Sequence, residues 1–307
     1  MPMDLRGQNL RGMDFRDRDL AYTDFTGACL QEARFDRANL INAKLRNANL
    51  RGATFEQARI IKTDFSHADG QNANMAQAVL KRSEFGLANF KYAVLEQADL
   101  TGSSLVRTNL RGAKLNRATM ANAVVEMACL ADCWAPNADM LSNRMARVNL
   151  EGAMLDGITL DHSDLRHANL SDSHVTSASL VRVGLEGTLW REANLTLSDL
   201  RHSDLCSADM MDAMAIGTDF SETELLRANL SFACLKQAKL IHSQMADVRL
   251  WETECTEANL TGVRLRHGWL DQTDFTNADL TDFEMIETDR ADGIWDGTRL
   301  AEAKAQA

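Results

Sequence analysis

The chain has 307 residues, 45% of them hydrophobic and 25% charged, a balance that excludes a disordered polymer and suits one large domain or two ordinary ones. A formal charge of −11, no apolar run of membrane-spanning length and no secretory pattern at Met1-Pro2-Met3-Asp4 argue for a cytoplasmic protein that binds neither nucleic acid nor membrane directly. Six cysteines, Cys29, Cys129, Cys133, Cys206, Cys234 and Cys255, fall at irregular spacings and read as reduced thiols.

From Leu5 onward every fifth residue is large and apolar: Leu5, Leu10, Phe15, Leu20, Phe25, Leu30, Phe35. The phase holds through Leu300, and 53 of its 60 positions are Leu, Phe, Met, Val or Ile. Trp190 and Trp295 also belong to it, while Gly70, Ala135, Ala215, Cys255 and Arg290 interrupt it. A second column, two residues earlier, begins Ala28, Ala33, Ala38 and continues mostly as Ala, Ser, Thr or Val. Between the columns Asn or Asp recurs, as in Ala38-Asn39-Leu40 and Ala98-Asp99-Leu100. A helix would carry a column of period five about 140° round its axis at each repeat. Strand alternation of period two does not hold it either. A short extended piece followed by a corner does, because residues two apart face the same side.

The unit A(N/D)LXX resembles the repeat of the pentapeptide-repeat family over essentially the whole chain. The resemblance implies an all-β fold, a right-handed quadrilateral parallel β-helix with 20 residues per coil. The chain would form one domain over 1–307, with repeats from about 3 to 300 in about 15 coils and a tail at 301–307. Asn-Leu-Arg-Gly at 9–12, 49–52 and 109–112 and Asn-Leu-Glu-Gly at 149–152 are spaced by multiples of 20, in keeping with that coil. Phe15, Phe35, Phe55 and Met75 should then form one internal stack, and Phe65 and Phe85 another.

Along the chain, Cys129 and Cys133 look like half of a zinc motif, but no second pair follows and Cys133 takes an inward position. Cys133-Trp134-Ala135-Pro136 puts Ala where a large residue belongs, and Ala213-Met214-Ala215 repeats the swap. A local bulge or repacking is one reading; a recognition ledge of Trp134, Met154 and Met214 is the other. His162, His202 and His242 share a column two coils apart, too far to share a metal ion, and with Glu222 between them they read as a surface charge ladder.

Charge is divided along the chain: residues 1–150 carry +4 and residues 151–307 carry −15. The densest acid lies at Asp271, Asp274, Asp279, Asp282, Glu284, Glu287, Asp289 and Asp292, a candidate surface for a protein partner with a basic face. An edge guarded against end-to-end stacking explains the same acids. The tail from Thr298 to Ala307 reads as a short C-terminal helix of about two turns. Its one large apolar residue, Leu300, suits a modest end cap, with a homodimer through the C-terminal end as the alternative.

No Gly-rich phosphate loop, HExxH or GxSxG occurs, and a filled interior leaves no cavity, so the expectation is a non-enzyme without cofactor or metal. Two functions compete. One is a protein–protein interaction scaffold or adaptor, of the kind the family supplies in bacterial operons and near secretion systems. The other, also implied by the resemblance, is a DNA-mimicking binder of DNA gyrase or topoisomerase IV that confers resistance to quinolones or gyrase poisons. B-DNA carries about one charge per 1.7 Å. The acidic half approaches that density and the basic half does not.

Overall fold

A computed structural model describes residues 3–288 and 293–299, and the backbone of 304–306. The chain divides into two compact units, Met1–Met154 and Leu155–Ala307. Each is built from parallel bridges that join residues 20 apart. In the first unit Asp4 pairs with Asp24, Asn9 with Cys29, Asp14 with Arg34 and Asp19 with Asn39, so one 20-residue coil carries four ladders. In the second, Thr159 pairs with Ser179, Asp164 with Gly184, Asn169 with Leu189 and His174 with Asn194. On one ladder of this second unit, four successive coils widen into three-residue strands: β1 Gln244–Ala246, β2 Arg264–Arg266, β3 Glu284–Ile286 and β4 Lys304–Gln306, parallel and in that order. No helix occurs among the described residues, and none is long and apolar enough to cross a membrane.

One five-residue unit shows why this sequence turns corners. In Asp24–Ala28 all five backbone N–H groups find acceptors. Asp24 donates to Met3 O (3.0 Å), Phe25 to Lys44 O (2.7 Å), Gly27 to Arg46 O (2.9 Å) and Ala28 to Phe25 O (2.9 Å). The fifth, Thr26 N–H, donates to the Asp24 carboxylate at 3.0 Å. The recurrent Asn or Asp is therefore a turn cap that accepts from the residue two further on. Asn109 does the same for Arg111, Asp139 for Leu141 and Asn259 for Thr261. The residue before each small column takes a left-handed φ, 69° at Gly27 and 61° even at Leu197. That conformation disfavours non-glycine residues, and the closed set of corner hydrogen bonds holds it.

The apolar columns fill the inside of each unit. Phe25, Leu30, Phe35 and Leu40 are buried, as are Leu165, Leu170 and Leu200. Phe15 stacks on Phe35 at 5.0 Å and Phe35 on Phe55 at 4.8 Å, and Phe65 stacks on Phe85 at 4.9 Å, as the spacing predicts. Ser and Thr in the small column are not flaws. Ser83 Oγ donates to Ile60 O at 2.9 Å and accepts Thr63 N–H at 3.1 Å, so the hydroxyl is satisfied between coils. Trp190 is buried with its indole N–H on Thr188 Oγ1 at 2.9 Å.

Two expectations need correction. The tail does not begin as a helix: Lys304–Gln306 forms β4, with Met285 opposite Ala305. The open edge of β3 presents unpaired N–H and C=O groups, and residues 304–306 arrive on it in the same 20-residue register. Pairing thus extends past residue 300, whereas Arg290 and Leu300 lie outside the described residues. Nor is there a bulge at Trp134-Ala135-Pro136. Lys114, Trp134 and Met154 pair in unbroken register, and Arg117 N–H donates to Pro136 O at 3.1 Å.

Candidate interaction surface

The acidic residues of the last coils go round the coil rather than gathering on one face. Asp274 and Asp279 stand in two ladders as turn caps, Asp274 accepting Thr276 N–H at 2.8 Å and Asp279 accepting Thr281 N–H at 3.1 Å. The Thr281 hydroxyl also donates to Asp279 at 2.7 Å, and this bond holds the carboxyl below its usual range. Glu284, on a third ladder, faces Arg264 Nε at 3.3 Å. Asp271, Asp282 and Glu287 sit exposed at corners. Glu287 meets His267 Nε2 at 2.7 Å, whose Nδ1 lies 3.4 Å from Asp247. Asp289 and Asp292 lie outside the described residues.

The expected ledge is brought together in part. Trp134 and Met154 are bridge partners in the Met1–Met154 unit, with Trp134 exposed. Trp134, Glu96, Lys114 and Asn116 line a recess of about 390 Å³. Met214 belongs to the other unit, exposed on a ladder between Asn194 and Cys234.

Outward aromatic residues of the Leu155–Ala307 unit form a surface that the five-residue columns do not show. Phe232 and Trp251 lie with ring centroids 5.2 Å apart, and the Arg249 guanidinium stands 5.7 Å from the Trp269 ring centre. Next to them Glu252, Thr253, Glu254, Gln272, Asp274 and Ile294 line a recess of about 340 Å³. Sorting the outward positions by their place in the 20-residue coil would have found this corner.

The histidine column makes a cross-coil contact, His202 Nδ1 to the Glu222 carboxylate at 3.1 Å. Among the described residues no three His, Cys, Asp or Glu side chains are placed to hold a metal ion. All six cysteines are free thiols. Burial pushes Cys133 up to about 12 and also raises Cys255. Burial, helped by Asp204, pushes Cys206 to about 12. A thiol held protonated in this way is a poor nucleophile and a poor ligand.

No curated protein matches the chain. Among solved structures it is similar to HetL, a pentapeptide repeat protein involved in heterocyst differentiation regulation from the cyanobacterium Nostoc sp. strain PCC 7120, at 29% identity over 74% of this chain and 89% of that one, with a TM-score of 0.37. It is also similar to QnrB1, a plasmid-mediated fluoroquinolone resistance protein, at 16% identity over 68% of this chain and 89% of that one, with a TM-score of 0.30. A pentapeptide repeat protein from the Arabidopsis thaliana thylakoid lumen shares 25% identity over 42% of this chain and 69% of that one, with a TM-score of 0.16. The family model for pentapeptide repeats matches residues 4–37, 33–69, 71–105, 144–180, 178–213, 212–240 and 243–283. The stretch 106–143 between two of these matches keeps the same bridges, among them Asn109 to Cys129 and Thr119 to Asp139. The repeat matches, the 20-residue register and the corner chemistry agree: the chain belongs to the pentapeptide-repeat family.

Proposed function

We propose that the protein is a non-catalytic, cytoplasmic interaction scaffold that recruits a protein partner with a basic surface at its acidic coils. In this reading residues 1–307 form one right-handed, four-sided β-helix of about 15 coils. The unslipped five-residue phase through residues 150–160 supports the single domain. The observation that carries the functional reading is the charge split. Met1–Met154 holds a net +3 and Leu155–Ala307 a net −14. Such self-repulsion does not help folding, and it steers a basic partner towards the acidic unit. The docking residues in this reading are Asp271, Asp274, Asp279, Asp282, Glu284 and Glu287.

The test changes Asp274, Asp279 and Asp282 to Asn and Glu284 to Gln. Asn keeps the acceptor that caps the Thr276 and Thr281 turns, so the variant should fold. Partner capture in a pull-down should weaken, and its salt dependence should flatten. Undiminished capture with new end-to-end association in light scattering would instead make these acids an edge guard.

The charge on Leu155–Ala307 also favours a second reading, a DNA mimic that occupies DNA gyrase or topoisomerase IV. Inhibition of gyrase supercoiling by the purified protein, lost in the neutralised variant, would select it over the scaffold. Unaltered supercoiling at protein in large excess would remove it.

A further inference from the structure

The exposed large apolar side chains of the Leu155–Ala307 unit are not scattered. Among the described residues they are Leu189, Met214, Phe232, Trp251, Trp269 and Ile294, all on one corner of the coil, and Leu197 on another. Leu189 and Trp269 stand in the ladder before that corner, Trp251 and Phe232 on the turn itself, and Met214 and Ile294 in the ladder after it. In the Met1–Met154 unit the exposed large apolar side chains are divided among corners: Tyr22 and Leu141 at one, Leu87 and Met127 at a second, Tyr92 and Trp134 at a third.

Folding does not ask for these side chains. The equivalent outward places on neighbouring coils are filled by Asn229, Ser231 and Gln272 with the bridges intact. Yet Phe232, Trp251 and Trp269 are 38%, 47% and 54% exposed, an apolar surface that monomers rarely leave contiguous. Tryptophan and arginine at such a patch are the residue types that carry binding energy at interfaces. The surroundings give the partner's sign. Asp212, Glu252, Glu254, Asp271 and Asp274 flank the aromatics, and Arg249 lies against Trp269. Lys236 reaches in to Glu254 at 2.9 Å, so an ammonium already fits against this carboxylate. The recess lined by Glu252, Glu254, Asp274 and Ile294 has room for one more basic side chain.

We propose that this corner docks a protein segment that combines apolar side chains with lysine or arginine. The apolar groups cover Phe232, Trp251 and Trp269, and one basic side chain enters the recess between Glu252, Glu254 and Asp274. The assignment rests on the scaffold reading and deepens it, by naming the working corner and the chemistry of the segment it takes. Acid alone would attract any cation; the aromatic surface beside it selects a cation carried next to apolar groups.

The experiment pans a displayed random-peptide library on the full-length protein and removes clones that also bind the Trp251→Ala/Trp269→Ala variant. The surviving clones should carry net positive charge together with apolar residues. A synthetic peptide of one such clone should bind the double Trp variant at least tenfold more weakly. Glu252→Gln/Asp274→Asn should weaken it several-fold and flatten its salt dependence. Circular dichroism should be unchanged in both variants, because the four side chains lie outside the core. A panning that yields no Trp-dependent clone, or only neutral or acidic ones, overturns the assignment. If every basic clone binds wild type and the Trp variant alike, so that none survives the subtraction, the corner is overturned and the acidic-coil scaffold stands.

Discussion

Phe90 fills the space that Gly70 leaves empty: a β-carbon on Gly70 would fall against three carbons of the Phe90 ring. The two residues are 20 apart and so stand one coil apart in the same inward column. What looks in the sequence like a lapse of the repeat is a matched pair, large on small. Phe90 also meets Phe65 and Phe85 edge-to-face, at 5.9 and 5.3 Å, so its tilt serves a three-ring cluster.

Gly70→Leu should therefore overpack the column and cost about 1–3 kcal/mol, despite restoring the repeat. Phe90→Leu alone should lose about as much by leaving a void. The double variant, with Leu at both positions as in most coils, should cost clearly less than the two changes added together. Urea midpoints of the four proteins measure this coupling. Simple additivity would mean that the pair does not share its space.

Leu165→Asp should prevent folding or drive aggregation. Leu165 is fully buried, and an unpaired carboxylate there costs several kcal/mol, comparable with much of a domain's net stability. Its neighbour Arg166 pairs with Asp164 at 2.8 Å on the surface, so Arg166→Ala should be near neutral. Thermal melts separate the two outcomes, and equal effects would place Leu165 outside the core.

Acid should loosen the corners in a defined pH window. Hydrogen bonds from Thr26 and Thr281 hold Asp24 and Asp279 below the usual carboxylate range. Their folded pKa lies under the unfolded value of about 3.9, so the stabilisation is complete above that value and is lost as pH falls through the folded one. Melting temperature should be insensitive to these groups from about pH 5 to 8 and should fall below about pH 4. Asp24→Asn/Asp279→Asn should keep the caps, because the amide oxygen still accepts, and should shrink the acid limb. A variant with the same acid limb as wild type would exclude these two carboxyls from the transition.

The cysteines should separate by burial. Cys133 and Cys255 are buried with raised pKa values, so neither should react with a thiol reagent at neutral pH in the folded protein. Cys29 and Cys129 are only half-buried and should label before these two, and denaturant should release all six. Mass spectrometry of the labelled peptides reads the order, and early labelling of Cys133 would contradict its inward place.

The sequence by itself determined which side chains face inward. Period five is incompatible with a helix or a plain strand, so Leu165 was legible as core and Phe15, Phe35 and Phe55 as one stack. It also determined the charge division, since that depends on counting alone. The tail was misread because local propensity makes Ala301–Ala307 a fair helix. Only the waiting edge of β3 decides that Lys304–Gln306 becomes a strand, and that edge belongs to residues 20 positions earlier. The work of Asn and Asp as caps also emerged only in three dimensions, because it is a bond from Asp24 to the N–H of Thr26 across a corner. So did the pairing of Gly70 with Phe90. The aromatic corner stayed hidden for the same reason. Phe232, Trp251 and Trp269 follow no five-residue column, and they become neighbours only when 20 residues close one coil and stack it on the next.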